Sequence, residues 1–478
     1  MTRTRSSRFL GVTVLPMYFQ SEGVDAILDA LAAAGVNAIA TTPSVYEAID
    51  RLPGADEAGL SDELPRREPP IDAGAGEGRT VERLLWGHEQ VLISPSPSAP
   101  PDTTCYTGLR YQPSRATALT DAEGGTIEHI IDGAHARGMK VYFQLSAVQV
   151  PGRHDDDLPR LPDGSFPRQR MVQTAAIASD HVRAYICARS RDVLTSYPNV
   201  DGLRFDWPEH PPYTLGDAFL DFSGHARRMA PRLGFEFEPM RLAAAGLYDR
   251  LQDLRNEDLD RLADPHELPR TPTSLVGDEP ALLDIRHFKA ALTSNYLVEL
   301  RAAMDSAPGG RDKELSPNAF PPPLSLLSGV DYEAVSEIAD SISVKLYTMH
   351  WPQIVRYYAE ELMANNARPL DPARALRAVS ALFDLEDGES GTSLDDYRYP
   401  LPHEPHRAGA EAQRRKISQA TAEAGGRATV YPAVHGYGPL ADFESRLRLA
   451  WEASSAGIWV NRYCYLGDAK IAALGRLD

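Results

Sequence analysis

The stretch NVDGLRFDWPEH, residues 199–210, has the apolar core of a buried β-strand but also carries charged side chains. Leu203 and Phe205 alternate with Arg204 and Asp206, so the apolar and charged pairs lie on opposite faces of the strand. Charged residues at the point where a buried strand ends are typical of a functional site, because such sites collect perturbed ionisable groups. The structural alternative is a salt bridge that closes the rim of the sheet.

The same succession of apolar strand, polar loop and helix recurs along the chain. Helix-period segments such as GVDAILDALAAAG (23–35) and TIEHIIDGAHARG (126–138) separate the strands. The other segments with a strand pattern are RFLGVTVLP (8–16), VNAIATTP (36–43), MKVYFQLSAVQV (139–150), KELSPNAFP (313–321), SISVKLYTMHW (341–351), RATVYPAVHGYG (427–438) and AGIWVNRYCYLG (456–467). Eight strands in alternation with helices predict an α/β fold, a (β/α)8 TIM barrel whose last strands close on the first.

We expect residues 1–478 to form a single barrel domain with long loop insertions at about 44–122 and 240–283. The first insertion is rich in Pro, Gly, Ser and Asp, and only TVERLLWGHEQ (80–90) has a helical pattern. A long stretch without periodicity in a compact domain is usually a functional loop. The sequence leaves open whether this insertion covers a site or mediates assembly.

The composition restricts the classes of molecule that the protein is expected to bind. A net charge of −18 argues against nucleic acid and anionic membrane, so a neutral small molecule or a glycan is the expected partner. The cysteines Cys105, Cys187 and Cys464 have no metal-ligand spacing and imply no disulfide framework. HDDD (154–157) has the pattern of a solvated charge cluster. We therefore expect no cofactor and no metal.

The N-terminal run of residues 1–20 is interpreted as the first strand and not as a signal peptide, because it is short and lacks a small-residue cleavage site. The chain also has no run of about 18 apolar residues, the length that a membrane helix needs. These features predict a cytoplasmic protein without a membrane partner. Assembly into a homo-oligomer is left open.

In a barrel of this kind the chemistry lies at the C-terminal ends of the strands. Arg204 and Asp206 are the first catalytic candidates, because an arginine on the same face would keep Asp206 ionised for attack or charge stabilisation. Glu209 ranks first as the second carboxyl group that glycoside hydrolysis would need. The weaker candidates for that group are Glu236, Glu238 and Glu314.

Other strand ends carry aromatic and hydrogen-bonding side chains, a mixture that binds the apolar faces and hydroxyl edges of sugars. Packing into the helical layer is the alternative for many of them, since alternate residues of a strand point outwards. The candidate substrate-binding residues are Trp207, His210, Tyr347, His350, Trp351, His435, Tyr437, Asn461, Arg462 and Tyr463.

The segment DGLRFDWPEH resembles the second signature region of the α-amylase family of glycoside hydrolases, in which a Gly-x-Arg-x-Asp strand end supplies the nucleophile. The resemblance implies that Asp206 is the nucleophile, Arg204 its partner and His210 the trailing histidine. The third and seventh predicted strands depart from that family, because VYFQLSAVQVP lacks Asp-x-x-x-Asn-His and AVHGYG has no following aspartate. Over most of the barrel the chain is similar to glycoside-hydrolase-like barrels, in SYPNVDGLRFDW, FSGHARRMAPRLGFEFEPMR, HFKAALTSNYLVELRAAM and the final strands.

The leading hypothesis is a glycoside hydrolase or related carbohydrate-active enzyme that acts on a glycan or small glycoside through Asp206. A sugar isomerase or aldolase is an alternative, although HGYGP (435–439) is a thin phosphate loop and Lys345 lies in the middle of a strand. A non-catalytic glycan-binding barrel is the third, supported by the lack of an obvious second acid. The sequence determines neither the sugar and linkage nor retention or inversion.

Overall fold

The computed structural model describes residues 8–51, 65–68, 81–167, 172, 174–264 and 280–477. Its strands are β1 (Phe9–Thr13), β2 (Ala38–Thr41), β3 (Ser44–Ala48), β4 (Arg66–Glu68), β5 (Val91–Pro97), β6 (Lys140–Ser146), β7 (Gly202–Asp206), β8 (Glu314–Ala319), β9 (Ser341–Leu346), β10 (Thr429–His435) and β11 (Gly457–Asn461). Eight of them form a closed parallel barrel in the order β1, β2, β6, β7, β8, β9, β10 and β11. The predicted fold class is confirmed, and the barrel closes where Val12 of β1 pairs with Val460 of β11.

Helices connect the barrel strands and form the outer layer. They are α1 (Pro16–Glu22), α2 (Val24–Ala33), α3 (Ala118–Glu123), α4 (Gly125–Ala136), α5 (Asp180–Ser196), α6 (Leu215–Ala218), α7 (Gly224–Arg232), α8 (Phe237–Arg250), α9 (Asn256–Ala263), α10 (Pro280–Asp305), α11 (Leu324–Ser328), α12 (Tyr332–Ser336), α13 (Trp351–Asn365), α14 (Pro372–Phe383), α15 (Ala410–Ala424), α16 (Leu440–Ala453) and α17 (Asp468–Leu474). Within the described ranges, none of these helices has both the length and the apolar character needed to cross a bilayer.

The segment DAFLDFSGHARRMAPRLG (217–234) has a helical pattern, but it is divided between the end of α6 and α7. The division has a local cause, because the Ser223 hydroxyl accepts a hydrogen bond from the amide of Ala226 and so caps the start of α7. A serine in this position satisfies an amide that would otherwise lack a partner, and it favours a new helix over continuation of the old one.

The first predicted insertion contains a small antiparallel sheet that its sequence does not reveal. Strands β3 and β4 both pair with β5. The helix predicted at 80–90 is wrong for its described residues, which form a turn in which Leu85 and His88 exchange backbone hydrogen bonds of 2.9 Å. Gly87 has a φ of 84° in this turn, which a right-handed helix does not allow. Residues 1–7, 52–64, 69–80 and 265–279, which include parts of both predicted insertions, lie outside the described residues.

Large side chains fill the interior of the barrel. The indole of Trp459 is almost completely buried and packs with Tyr142 and with small residues of neighbouring strands. Gly11 of β1 makes room for it, because a β-carbon on Gly11 would lie 2.3 Å from the Trp459 ring. The glycine is therefore a packing requirement of the barrel.

We expect Gly11→Ala to lower the free energy of unfolding by about 1–3 kcal/mol, because the added methyl overlaps a ring that cannot move within a filled barrel. Gly246→Ala is the matched control, since a β-carbon on this glycine of α8 would meet only the flexible end of Arg250, at 3.7 Å. Urea unfolding of both variants measures the difference. Equal stabilities of the two variants would contradict the close packing of Trp459 on β1.

Candidate active site

A buried lysine joins two carboxylates at the C-terminal end of the barrel. Asp206 is the last residue of β7, and its Oδ1 lies 3.1 Å from Nζ of Lys345 on β9. The same Nζ lies 3.1 Å from Oε1 of Glu209. The exposed fractions of these side chains are 17% for Asp206, 3% for Lys345 and 0% for Glu209. Asp206 is therefore the member of this cluster that a ligand can reach.

Lys345 remains protonated in this environment. Burial alone would lower its pKa, but the negative charges of Asp206 and Glu209 outweigh that effect and raise the pKa above its usual value. Lys345 is not among the site residues that the sequence predicts. A lysine inside the apolar strand SISVKLYTM was the available signal, because a buried ammonium requires a partner of opposite charge.

Glu209 belongs to the cluster but has no free oxygen. Both of its carboxylate oxygens accept from the amide of Phe320, at 3.0 and 3.1 Å, and Oε2 also accepts from the Ser328 hydroxyl at 2.6 Å. Burial raises its pKa, and the charge of Lys345 opposes this increase. The carboxylate thus holds Lys345 and ties the segment after β7 to the segment after β8.

The salt bridge between Arg204 and Asp206, which was the structural alternative to a functional site, does not form. The guanidinium of Arg204 instead lies inside the barrel, 3.8 Å over the Trp459 ring, and donates to Asn318 at 2.9 Å and to Ser343 at 3.2 Å. Burial lowers its pKa to about 10. The two residues do share a face of β7, but Asp206 lies one pleat nearer the mouth, about 6–7 Å further along the strand. Lys345 is the cation that occupies that level.

Trp207 follows Asp206 in a left-handed backbone conformation, with φ of 53°. This region is unusual for any residue with a β-carbon and more so for a bulky one. Its amide donates to Asp206 Oδ1 at 3.1 Å, and its ring centroid lies 5.8 Å from the Lys345 ammonium. The sharp turn of the chain therefore sets the half-buried indole beside the carboxylate.

A continuous series of aromatic rings, here called the aromatic chain, extends from the neighbourhood of Asp206. Adjacent rings have centroids 5.3–5.8 Å apart. In order its members are Tyr347, His435, Tyr465, Tyr437, Tyr399, His350 and Tyr213. Only Tyr347 is partly exposed. Burial, with a further contribution from the charge of Asp206, raises the pKa of Tyr347 to about 12.

Four members of the aromatic chain were among the predicted substrate-binding residues, but Tyr213, Tyr399 and Tyr465 were not. Tyr213 and Tyr399 come from segments between the barrel strands, where no periodic pattern marks them. His435 ends β10, and its Nδ1 accepts a hydrogen bond of 3.1 Å from the amide of Tyr437. This contact assigns the remaining proton of a neutral imidazole to Nε2.

Two predicted binding residues, Trp351 and Tyr463, have polar or aromatic contacts away from Asp206, and His210 is anchored through its backbone. Trp351 begins α13 and is buried, with the Lys416 ammonium of α15 at 5.4 Å from its ring, so it packs into the helical layer. The Tyr463 hydroxyl donates to Glu22 at 2.9 Å. His210 is buried, and its amide donates to the carbonyl of Ser328 at 2.9 Å.

The last two predicted residues, Asn461 and Arg462, lie at the end of β11 and are partly exposed. Arg462 forms a salt bridge of 3.1 Å with Glu68 of β4, a carboxylate that is completely buried. Burial would lower the pKa of Arg462, but the charge of Glu68 raises it above its usual value. The first insertion therefore delivers a carboxylate to the barrel mouth, which no motif in the sequence indicated.

The stretch HDDD contains one residue that is not solvated. Asp155 and Asp156 are exposed as predicted, but Asp157 is completely buried and accepts from Tyr111 at 2.6 Å and from Arg110 at 2.8 Å. Burial would raise the pKa of Asp157, and its hydrogen bonds outweigh this effect and lower it. The buried carboxylate anchors the segment that follows β6.

No protein-family model matches the sequence, and no curated protein matches it at a significant level. Among solved structures, the chain is similar to the PgaB (BpsB) glycoside hydrolase domain from Bordetella bronchiseptica, with 13% identity, a TM-score of 0.43 and coverage of 94% of this chain and 98% of that one. It is also similar to a β-galactosidase from the psychrophilic Marinomonas ef1, with 12% identity, a TM-score of 0.49 and coverage of 98% of this chain and 58% of that one. A third similar structure is the catalytic domain of a β-amylase from Paenibacillus polymyxa, with 8% identity, a TM-score of 0.46 and coverage of 98% of this chain and 97% of that one. These structures are glycoside hydrolases. At such identities and TM-scores the similarities carry no information about this chain's reaction.

We expect Lys345→Met to lower the free energy of unfolding by about 3–5 kcal/mol, because it leaves the buried carboxylate of Glu209 without its cation. Lys345→Met combined with Glu209→Gln should recover part of this loss, since the double variant carries no unpaired buried charge. Urea unfolding of the two single variants and the double variant measures the coupling. Strictly additive losses would contradict the proposed dependence of Lys345 and Glu209 on each other.

His406 supports the outer side of the aromatic chain. Its ring stacks on Tyr437 with a centroid distance of 5.9 Å, and its Nδ1 lies 2.8 Å from the Thr348 hydroxyl. Burial, assisted by nearby positive charges, lowers the pKa of His406 well below its usual value. The imidazole is therefore neutral in the folded protein at neutral pH.

This depressed pKa predicts acid sensitivity. The contribution of His406 to stability is fully present above the unfolded-state pKa of about 6.5 and is lost as the pH falls, by up to about 1.4 kcal/mol per pH unit. We expect His406→Gln to flatten the pH dependence of urea unfolding between pH 7.5 and 5.5. His403→Gln removes an exposed histidine nearby and should leave that dependence unchanged. Identical curves for the two variants would exclude His406 as the sensitive group.

Proposed function

We propose that the chain is a glycoside hydrolase or a related carbohydrate-active enzyme that acts on a glycan or small glycoside through Asp206. The observation that supports this proposal most directly is the partly exposed Asp206 carboxylate, which ends a barrel strand and is paired with a buried ammonium. Reacting groups of enzymes with this fold lie at the C-terminal ends of the strands.

The chemistry of such a carboxylate fits glycosyl transfer. The Asp206 carboxylate, 3.1 Å from the Lys345 ammonium, can attack an anomeric carbon or stabilise an oxocarbenium-like transition state. Trp207 and Tyr347 are half-buried rings close to this carboxylate, and flat aromatic faces suit the C–H surfaces of a sugar. The cluster of one ammonium and two carboxylates has a formal negative charge, which complements positive charge at the anomeric centre.

The burial of Glu209 favours a second candidate function, a glycan-binding barrel without turnover. Glycoside hydrolysis normally uses two carboxyl groups, and the first-ranked second group is completely buried and hydrogen-bonded. Glu314 is the first residue of β8, at the opposite end of the barrel, and donors on Lys140 and Tyr142 occupy its carboxylate. Glu236 and Glu238 belong to the start of α8.

The protonation state of Lys345 disfavours the aldolase alternative. A lysine that forms a Schiff base needs an unprotonated amine, which enzymes obtain by lowering its pKa. The pKa of Lys345 is instead raised by the two carboxylates, and its ammonium is engaged by both.

Asp206→Asn should reduce kcat/KM for a turned-over glycoside by about 10³-fold or more, because the amide cannot act as a nucleophile or as a negative charge. Wild type and variant are assayed against a panel of aryl glycosides and oligosaccharides, with melting temperatures recorded in parallel. Glu314→Gln is the matched control, a carboxyl-to-amide change at the other end of the barrel, and it should retain activity.

Turnover by Asp206→Asn at the wild-type rate would overturn the assignment of the carboxylate. If neither protein turns over any glycoside while an oligosaccharide still raises the melting temperature, the glycan-binding barrel replaces the hydrolase. A wild type that neither cleaves nor binds any member of the panel would overturn both functions.

A further inference from the structure

A second cavity lies in the helical layer, separate from the candidate active site. Its volume is about 550 Å³, and α6, α8, α9, α10, α13 and α14 contribute to its wall. Neither Asp206, Lys345 and Glu209 nor any member of the aromatic chain lines it. This volume is within the range of sites that hold small organic ligands.

The wall of the cavity is largely apolar. Phe219, Phe222 and Phe383 line it together with Ile285, Val379 and a majority of leucines among the aliphatic residues. Protein interiors are close-packed, so an apolar space of this size is unfavourable when it is left empty or filled with water. An apolar ligand would restore the lost contacts.

The charged residues of the wall are mostly basic. Arg250, Arg261, Arg286 and Lys289 line the cavity, whereas Asp258 is the only acidic residue that does so among the described residues. The chain as a whole has the opposite balance, with 67 acidic and 49 basic residues. The local excess of cations is therefore complementary to an anionic group.

Arg250, Arg261 and Lys289 already have interaction partners. Asp258 pairs with Arg261. The Lys289 ammonium donates to the carbonyls of Ala218 at 2.9 Å and Leu327 at 2.6 Å. Arg286 of α10 has no hydrogen bond or salt bridge among the described residues, but its positive charge opposes the burial that raises the pKa of Glu423 on α15. Its guanidinium is the side chain best suited to an incoming anion.

We propose that this cavity binds a single-chain amphiphile, an apolar tail with an anionic head group such as a fatty acid carboxylate, and that Arg286 pairs with the head group. The tail occupies the leucine- and phenylalanine-rich wall. A guanidinium holds a carboxylate through two parallel hydrogen bonds, which accounts for the preference for an anionic head. This inference is independent of the function proposed for Asp206.

Dodecanoate and 1-dodecanol, used below their aggregation concentrations, test the proposal by calorimetric titration of the full chain. We expect one dodecanoate per chain, and a weaker interaction with the alcohol. Arg286→Gln should weaken dodecanoate binding by about tenfold or more, because it removes a charge-assisted contact, and should leave 1-dodecanol binding unchanged. Arg311→Gln, at an exposed arginine outside the cavity, is the matched control and should have no effect.

Separate experiments test whether the amphiphile binds in this cavity. Ala244→Phe adds a ring to a small buried residue of the wall and should abolish binding of both amphiphiles. Because that variant can fail to fold, a photoreactive diazirine fatty acid is also cross-linked to wild type, and the labelled peptides should derive from the segments that line the cavity. Labels elsewhere, or binding of neither amphiphile, would overturn the proposed site. Equal effects of Arg286→Gln and Arg311→Gln would overturn the role of the head group.

Discussion

The buried guanidinium of Arg204 is the contact on which the barrel most depends. From β7 it reaches Asn318 on β8, Ser343 on β9 and the face of Trp459 on β11, so one side chain links half of the strands. A cation can be buried only where acceptors and an aromatic face replace its water. Gly11 is a consequence of the same arrangement, because the indole that supports the guanidinium needs the space beside β1.

Above this layer a second buried cation organises the mouth. Lys345 holds Asp206 and Glu209 together, but the two carboxylates are not equivalent. Amide and hydroxyl donors surround Glu209, whereas Asp206 keeps a solvent-facing edge. The same lysine can therefore stabilise the loops through Glu209 and hold the candidate reactive carboxylate of Asp206 in place. The Lys345 ammonium therefore contributes both to the packing of the loops and to the candidate site at Asp206.

The sequence was sufficient for the barrel and for the position of Asp206, because buried strands are bounded by clear apolar runs and their ends mark the mouth. It did not indicate which residues pair with each charged side chain. Arg204 and Asp206 share a face of the strand, yet Asp206 lies one pleat nearer the barrel mouth. The alternation of residues shows which face a side chain is on, but not how far it lies from the mouth. The sheet of β3 and β5 was missed because its strands are far apart in the chain. Tyr213 and Tyr399 were missed because they come from segments without periodicity.

The backbone conformation and the side-chain environment of Trp207 favour different residue types. Glycine adopts the left-handed backbone found there without steric cost, whereas a residue with a bulky β-substituent loses about 1–3 kcal/mol. A glycine at this position would therefore relieve the backbone and remove the indole from beside Asp206. The indole thus lies beside Asp206 at a cost to the free energy of folding, and one residue sets the strain of the turn against the aromatic ring next to the carboxylate.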